Sequence, residues 1–346
     1  MSERVERLRA SLEEPLLVTN RVNVFYLTGF QSSNAVLLVE RGRTRLFTDF
    51  RYAEAARRVA QVEFVETPRA ILPELAERLS GRIAFEADSL TYAGYETLRA
   101  GGLELVPRSG VVEALRAVKG DDELAAIREA AAITSRAFER LSSEPFVGRS
   151  ERELAWRMEV LLREEGAEEV AFDVVVGAGA NGATPHARPG DTAVERGQTV
   201  VVDAAARIRG YQSDCTRTFA TGDIPVRLRS AYDVCLDAQA AGLASARAGM
   251  TGRGLDAVAR ERIDATDFAG AFGHGLGHGL GLELHEAPVA RPESTDVLEP
   301  RNVLTIEPGI YVPGLGGIRI EDLVVIRSAG GPEVLTTFTK ELVTVD

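Results

Sequence analysis

The chain has 346 residues, 45% hydrophobic and 27% charged, which are ordinary globular values and more length than one average domain needs. Its formal net charge of −12, from 40 basic and 52 acidic residues, excludes a general nucleic-acid binder, because neutralising phosphates requires a basic face. The charged opening MSERVERLRASLEEPLL lacks a signal-peptide core, no stretch approaches the ~20 apolar residues of a membrane span, and two cysteines, Cys215 and Cys235, suit a reducing compartment; a cytoplasmic protein is expected.

In chain order, the first third alternates strand-like and helix-like segments. NVFYLTGF, NAVLLVE and RTRLFTD read as strands, followed by YAEAARRVAQ, ILPELAERLS, RIAFEAD and YETLRAGG. VERGRT around Gly42 reads as a hairpin turn, and Gly101–Gly102 closes a helix. A domain boundary near Lys119 precedes KGDDELAAIREAAAITSRAFERL, whose Leu124, Ile127, Ala131, Phe138 and Leu141 recur at helical spacing behind an acidic first turn. A second helix, SERELAWRMEVLLREEG, carries a capping box in Ser150 and Glu153 and a stop in Gly166. Strands follow at AFDVVVG, QTVVVDAAA, YQSDCTRTFAT, NVLTIEPGIYV and GIRIEDLVVI, interrupted by a helix in VRLRSAYDVCLDAQAAGLASARAG. The expected architecture is α/β (α+β), with domains at 1–118 and 119–346.

GAGANG at 177–182 matches a dinucleotide fingerprint, with Asp203 downstream. Pro185 and Pro189 fall where the required helix would begin, so a glycine-rich loop is the better reading.

Three of the four histidines crowd into GHGLGHGLGLELHE, residues 273–286. His274 and His278 have i, i+4 spacing, but glycine at 273, 275, 277, 279 and 281 would cost a helix ~1 kcal/mol each. A strand fits better: the even positions share a face, His274 and His278 project together, and bare glycines permit close backbone approach. His285 has the opposite parity, so a bulge or turn near Glu283 must re-aim it. Carboxylates break otherwise apolar runs elsewhere. VVVDAAARIRGYQSDCTRTF carries Asp203 and Asp214 on adjacent arms joined through Arg207–Gly210, while LTIEPG and IRIED place Glu307 and Glu321 after isoleucines. Isolated acids in buried strands are costly unless paired or bound to metal.

These blocks, VVVDAAARIRGYQSDCTRTF, GHGLGHGLGLELHEAP, LTIEPGIY and GIRIED, in that order, resemble the pita-bread metallopeptidases, in particular the Xaa-Pro branch of prolidase and aminopeptidase P. The resemblance covers the chain from about Lys119 onward, and the first ~115 residues resemble that branch's smaller N-terminal domain. It implies a pita-bread catalytic domain behind a small α/β domain, and a dinuclear site of Asp203, Asp214, His278, Glu307 and Glu321. By it, Asp203 chelates one metal, Asp214 and Glu321 bridge both, and His278 and Glu307 complete the second. Oxygen-rich ligation with one imidazole suits Mn²⁺, with Co²⁺ or Zn²⁺ as alternatives. The resemblance further makes Glu307 the general base, His285 a partner of the oxyanion or a proton shuttle, and His186 and His274 substrate-side groups. Arg319 would orient the carboxylates.

The implied reaction is hydrolysis of an Xaa-Pro bond in proline-containing di- or oligopeptides, by a homodimer. Dipeptidase activity is favoured over an aminopeptidase on longer peptides; a creatinase-like amidinohydrolase and a non-catalytic binding protein are remoter readings. A dipeptidase must recognise a free carboxylate, for which Arg43, Arg45 and Arg51 are the candidates.

Overall fold

The computed structural model describes residues 3–346, and the chain divides into one unit ending at Arg116 and another spanning Ala117–Asp346. The first unit contains β1 (Leu16–Val18), β2 (Ala35–Val39), β3 (Thr44–Thr48), β4 (Glu63–Glu66), β5 (Arg82–Glu86) and β6 (Glu104–Arg108) in one sheet of order β4-β3-β2-β1-β5-β6. The hairpin read around Gly42 is β2–β3, running antiparallel from Ala35↔Thr48 to Val39↔Thr44. Helices α1 (Glu3–Ser11), α2 (Arg21–Thr28), α3 (Ala53–Ala56), α4 (Ile71–Arg78), α5 (Tyr92–Ala100) and α6 (Val111–Ala117) accompany it. Leu17, Leu38, Phe47, Leu75, Phe85 and Leu98 meet in the core.

One expectation fails here: NVFYLTGF is not a strand and lies mostly in α2. Asn20 caps that helix by accepting the Val22 N–H, and Gly29 ends it at φ 70°. The run is apolar enough for either structure, and the local cap and stop decide it. The buried polar residue inside it, Asn23, is satisfied by Glu86 Oε1 at 2.6 Å and by Arg116 at 2.7 Å.

In the second unit, α7 (Asp121–Leu141) and α8 (Glu151–Glu164) occupy the two periodic stretches. Ser150 and Glu153 form the capping box, and Gly166 follows at φ 109°. Next come α9 (Val226–Ser245) and α10 (Gly252–Asp264). The sequence reading missed α10 because Gly252 and Gly254 weaken its first turn. Burial of Leu255, Ala259 and Ile263 at helical spacing and a Thr251 cap outweigh them.

The strands of this unit are β7 (Glu169–Val170), β8 (Val175–Ala178), β9 (Thr199–Asp203), β10 (Ala206–Ile208), β11 (Tyr211–Gln212) and β12 (Thr216–Ala220), then β13 (Gly277–Gly279), β14 (Glu286–Ala290), β15 (Val303–Ile306), β16 (Gly309–Val312), β17 (Gly316–Arg319), β18 (Asp322–Val325) and β19 (Glu333–Val334). Two sheets matter most: β12-β9-β8, and β14-β13-β15-β18-β19. They are stitched where the Glu321 N–H donates to Thr216 O at 3.1 Å, so β8 and β14 lie at opposite ends of the joined array. Residues alternate across it. Val200 and Val202 enter one core with Phe138 and Leu161, and Leu304 and Ile306 enter another with Tyr232 and Leu255. Asp203, Thr305 and Glu307 have the opposite parity. The arm after Asp203 is more structured than read: Arg207 and Ile208 are still strand, and the reversal is only Arg209–Gly210, both at positive φ.

Candidate metal centre

Asp203, Asp214, Glu307, Glu321, His186, His274, His278, His285 and Arg319 line the wall of one cavity of ≈ 680 Å³. Asp203 ends β9, Asp214 and Glu321 precede β12 and β18, Glu307 follows β15, and His278 is the middle of β13. One oxygen each from Asp203, Asp214 and Glu321 lies within 4.8 Å of the others.

Strict alternation fails at the histidine run. Only Gly277–Gly279 is strand, and Leu276 turns into the core instead of sharing the face of His274 and His278, although both histidines reach the cavity. The glycines allow close packing: a Cβ on Gly277 would lie 1.9 Å from Thr305 O, and one on Gly279 2.3 Å from Ala287 O. His285 is re-aimed by the turn over 281–285 and by an irregularity opposite His278/Gly279, where the β14 partner jumps from Val289 to Glu286. A buried ion pair holds that turn, Lys119 Nζ to Glu286 Oε2 at 2.9 Å, while Glu286 Oε1 accepts the Glu283 N–H.

The hydrogen bonds leave the centre short of positive charge. His278 Nδ1 lies 3.0 Å from Gly279 O, and a carbonyl can only accept, so Nδ1 carries the proton. Its Nε2 lone pair then faces Glu307 Oε1 at 3.3 Å and Asp214 Oδ2 at 3.7 Å. Acceptors in opposition need a cation between them. Asp203 Oδ2 takes Arg319 at 2.7 Å, but its Oδ1 is buried without a partner among the described residues. Burial, then the charges of Glu321, Asp203 and Glu307, pushes the Asp214 carboxyl well up; burial, then Glu307 and Asp203, does the same to Glu321. Burial also raises Glu307 and lowers His274, His278 and His285, which favours the uncharged imidazole. A neutral imidazole and four crowded carboxylates are a donor set for divalent ions, and the residues present fit such a group.

Arg319 is engaged through four of its five N–H groups. It donates to Asp203, to Thr216 Oγ1 at 3.0 Å, to Pro185 O at 2.9 Å and to the Tyr311 hydroxyl at 3.1 Å, while Thr216 donates to Glu321 Oε2 at 2.7 Å. Tyr311 escaped the sequence reading. His274 Nδ1 is tied to Gly275 O at 2.8 Å, so Nε2 accepts from the Tyr311 hydroxyl at 2.9 Å. The only signal was its place four residues after Glu307. His186, by contrast, is exposed at the cavity wall beyond the 3₁₀ turn Gly179–Ala183, the glycine-rich loop read from GAGANG. Arg43 and Arg45 both pair with Glu40, at 2.8 and 2.9 Å, and Arg51 with Asp49 at 2.7 Å, so each candidate arginine of the first unit already has a carboxylate partner there.

Fold and centre together are those of a metal-dependent hydrolase. The profile of metallopeptidase family M24 matches residues 125–328, and the creatinase/prolidase N-terminal domain matches residues 4–118. The chain belongs to metallopeptidase family M24, with that N-terminal domain in front. It is 33% identical to the Xaa-Pro dipeptidase of Pyrococcus furiosus over 97% of this chain and 99% of that one. The structure of an Xaa-Pro dipeptidase from Bacillus anthracis matches with TM-score 0.95 at 38% identity, covering 99% of each chain. That of an X-Pro aminopeptidase from Thermotoga maritima matches with TM-score 0.90 at 33% identity, covering 99% of this chain and all of the other.

Proposed function

We propose that this enzyme hydrolyses the Xaa-Pro peptide bond with two divalent ions, Mn²⁺ ahead of Co²⁺ or Zn²⁺, held by Asp203, Asp214, His278, Glu307 and Glu321. The observation that carries the metal reading is the His278 lone pair opposed to Glu307 and Asp214 across 3.3 and 3.7 Å. Relatives of both substrate lengths support the proline specificity, and dipeptides are favoured over longer peptides. When bound, the ions supply Lewis acidity that polarises the scissile carbonyl and acidifies water.

The chain's own groups do the rest. Glu307, with Oε1 fixed by Thr305 at 3.0 Å, takes the proton from the attacking water. His285, exposed at the cavity wall, donates to the oxyanion as it develops or passes the proton to the proline nitrogen. His274 has both ring nitrogens engaged and meets the proline side with its ring carbons, and His186 stands at the exposed wall. Arg319 keeps Asp203 oriented. An Xaa-Pro bond has no N–H and a rigid ring, so it needs such a dedicated cavity. In this reading the enzyme works as a cytoplasmic homodimer; among the described residues no helix is long and apolar enough to cross a membrane.

The test is hydrolysis of an Xaa-Pro dipeptide, an Xaa-Pro-Yaa tripeptide and an Xaa-Ala control, with Mn²⁺ and after chelation. Metal-dependent cleavage of the proline substrates is expected, faster for the dipeptide. Cleavage that survives chelation, or favours Xaa-Ala, would overturn the proposal.

A further inference from the structure

The cavity contains two charged side chains that the centre does not use. Asp203, Arg319, Glu307 and Glu321 have hydrogen-bonded or ion-paired partners, and Asp214 faces His278. Asp173 and Arg291 also line the cavity, both exposed, and among the described residues neither has a hydrogen bond or ion pair through its side chain.

Their positions mirror one another. Val175 of the edge strand β8 is paired with Asp203, and Asp173 lies two residues before it. Val289 of the edge strand β14 is paired with His278, and Arg291 lies two residues after it. Asp173 lies just before the start of β8 and Arg291 just past the end of β14, and each lines the cavity together with its valine. Val289 and Arg291 both line the cavity, whereas Ala290 between them is buried in the core. On the opposite side, Arg291 lies over the bare Cα of Gly275, where an added Cβ would be 2.9 Å from its Cβ. Because β8 and β14 end the joined sheets, the anion and the cation stand on opposite flanks of the acidic centre.

A free dipeptide at neutral pH has an ammonium at one end and a carboxylate at the other, with the scissile carbonyl between. Neither end can be left unpaired in a partly desolvated site without loss of binding. We infer that Asp173 and Arg291 form a charge clamp that selects the zwitterionic Xaa-Pro dipeptide, Asp173 taking the substrate ammonium and Arg291 the proline carboxylate. This deepens the reading above and rests on it. It supplies the carboxylate recognition that a dipeptidase requires from a guanidinium with its donors still available, unlike Arg319 or the paired Arg43, Arg45 and Arg51. A peptide extended beyond proline presents an amide to Arg291, and an N-blocked peptide presents one to Asp173. Each loses one of the two matches.

The experiment compares alanyl-proline, its C-terminal amide and N-acetyl-alanyl-proline on the Mn²⁺-loaded enzyme, wild type, Arg291→Met, Arg291→Lys and Asp173→Asn. The wild type is expected to prefer the free dipeptide over either blocked form by about ten- to a hundredfold in kcat/KM. Arg291→Met should erase the gap between dipeptide and amide, chiefly through KM, and Arg291→Lys should restore part of it. Asp173→Asn should erase the gap between free and acetylated amine while keeping the other. Ratios that do not move, or a uniform fall on all three substrates, overturn the clamp and leave Xaa-Pro hydrolysis standing. If the wild type cleaves none of the three, the Xaa-Pro reading fails. Calorimetric binding of alanyl-proline and its amide to the wild type and Arg291→Met then decides the clamp separately, equal affinities overturning it.

Discussion

Arg319 holds one oxygen of Asp203 at 2.7 Å and leaves the other, Oδ1, buried without a partner among the described residues. The side chain is oriented on one side and open on the other, which is the arrangement a ligand needs: aimed, but not satisfied. Beneath it, Arg217 donates to the Glu321 carbonyl and pairs with Asp322 at 2.8 Å, so the strands bearing the carboxylates are themselves fixed by a buried charge pair.

From this follows a joint loss of metal and activity. Asp214→Asn or Glu321→Gln removes a carboxylate from the cluster within 4.8 Å. Bound metal measured by atomic spectroscopy should fall below two ions per chain, and activity should fall by more than about a hundredfold. Full activity with either substitution would refute the dinuclear assignment.

Lys119 and Glu286 pair at 2.9 Å with side chains only 1% and 6% exposed, and the turn they hold carries His285. Lys119→Met strands a buried carboxylate and is expected to destabilise the fold by about 3–5 kcal/mol in denaturant unfolding. The double substitution Lys119→Met/Glu286→Leu should recover much of that stability while kcat stays depressed, because His285 loses its support. Restoration of both would show that the pair serves stability alone.

Two glycines of one motif should respond unequally. Alanine at Gly277 would drive its Cβ to 1.9 Å from Thr305 O, separating β13 from β15, with a loss of about 3 kcal/mol and weaker metal binding through its neighbour His278. At exposed Gly273 an added Cβ meets nothing within 4 Å, and the change should stay within about 0.5 kcal/mol. Thermal melts of the two variants, with metal titrations, check the contrast.

The first unit carries its own acid sensitivity. Arg51, on Asp49 at 2.7 and 2.8 Å, with help from Asn34 at 2.6 Å, holds the Asp49 carboxyl well below the usual range. The folded pKa is depressed, so this contribution is complete above the unfolded carboxylate value of about 4 and is lost as the pH falls below it. Melts between pH 6 and about pH 2.5 should show Asp49→Asn less stable at the upper end, with the difference from wild type shrinking toward the lower. A gap independent of pH would contradict this linkage.

The residues that share the cavity wall stood out in the letters for a physical reason: Asp203, Asp214, Glu307 and Glu321 interrupt apolar strands, where an unbound charge is expensive, and the glycine-spaced histidines cannot be helical. Local signals also reached the hairpin at Gly42 and the α8 capping box, because a turn or cap is decided by its own few residues. They did not settle α2, whose apolar run suits two structures, or α10, whose glycine-weakened start is outweighed by burial. Nor could sequence alone single out Tyr311, Asp173 or Arg291. A tyrosine, an aspartate and an arginine on strand ends are ordinary, and what distinguishes them is whether a partner stands opposite. Pairing across strands decides that: Tyr311 of β16 gains two partners in His274 and Arg319, while Asp173 and Arg291 face the cavity with no side-chain partner among the described residues. The sequence alone therefore determined which residues carry charge that must be compensated; the tertiary structure decided which of them are compensated within the protein, because pairing is a property of distances across sheets and not of spacing along the chain.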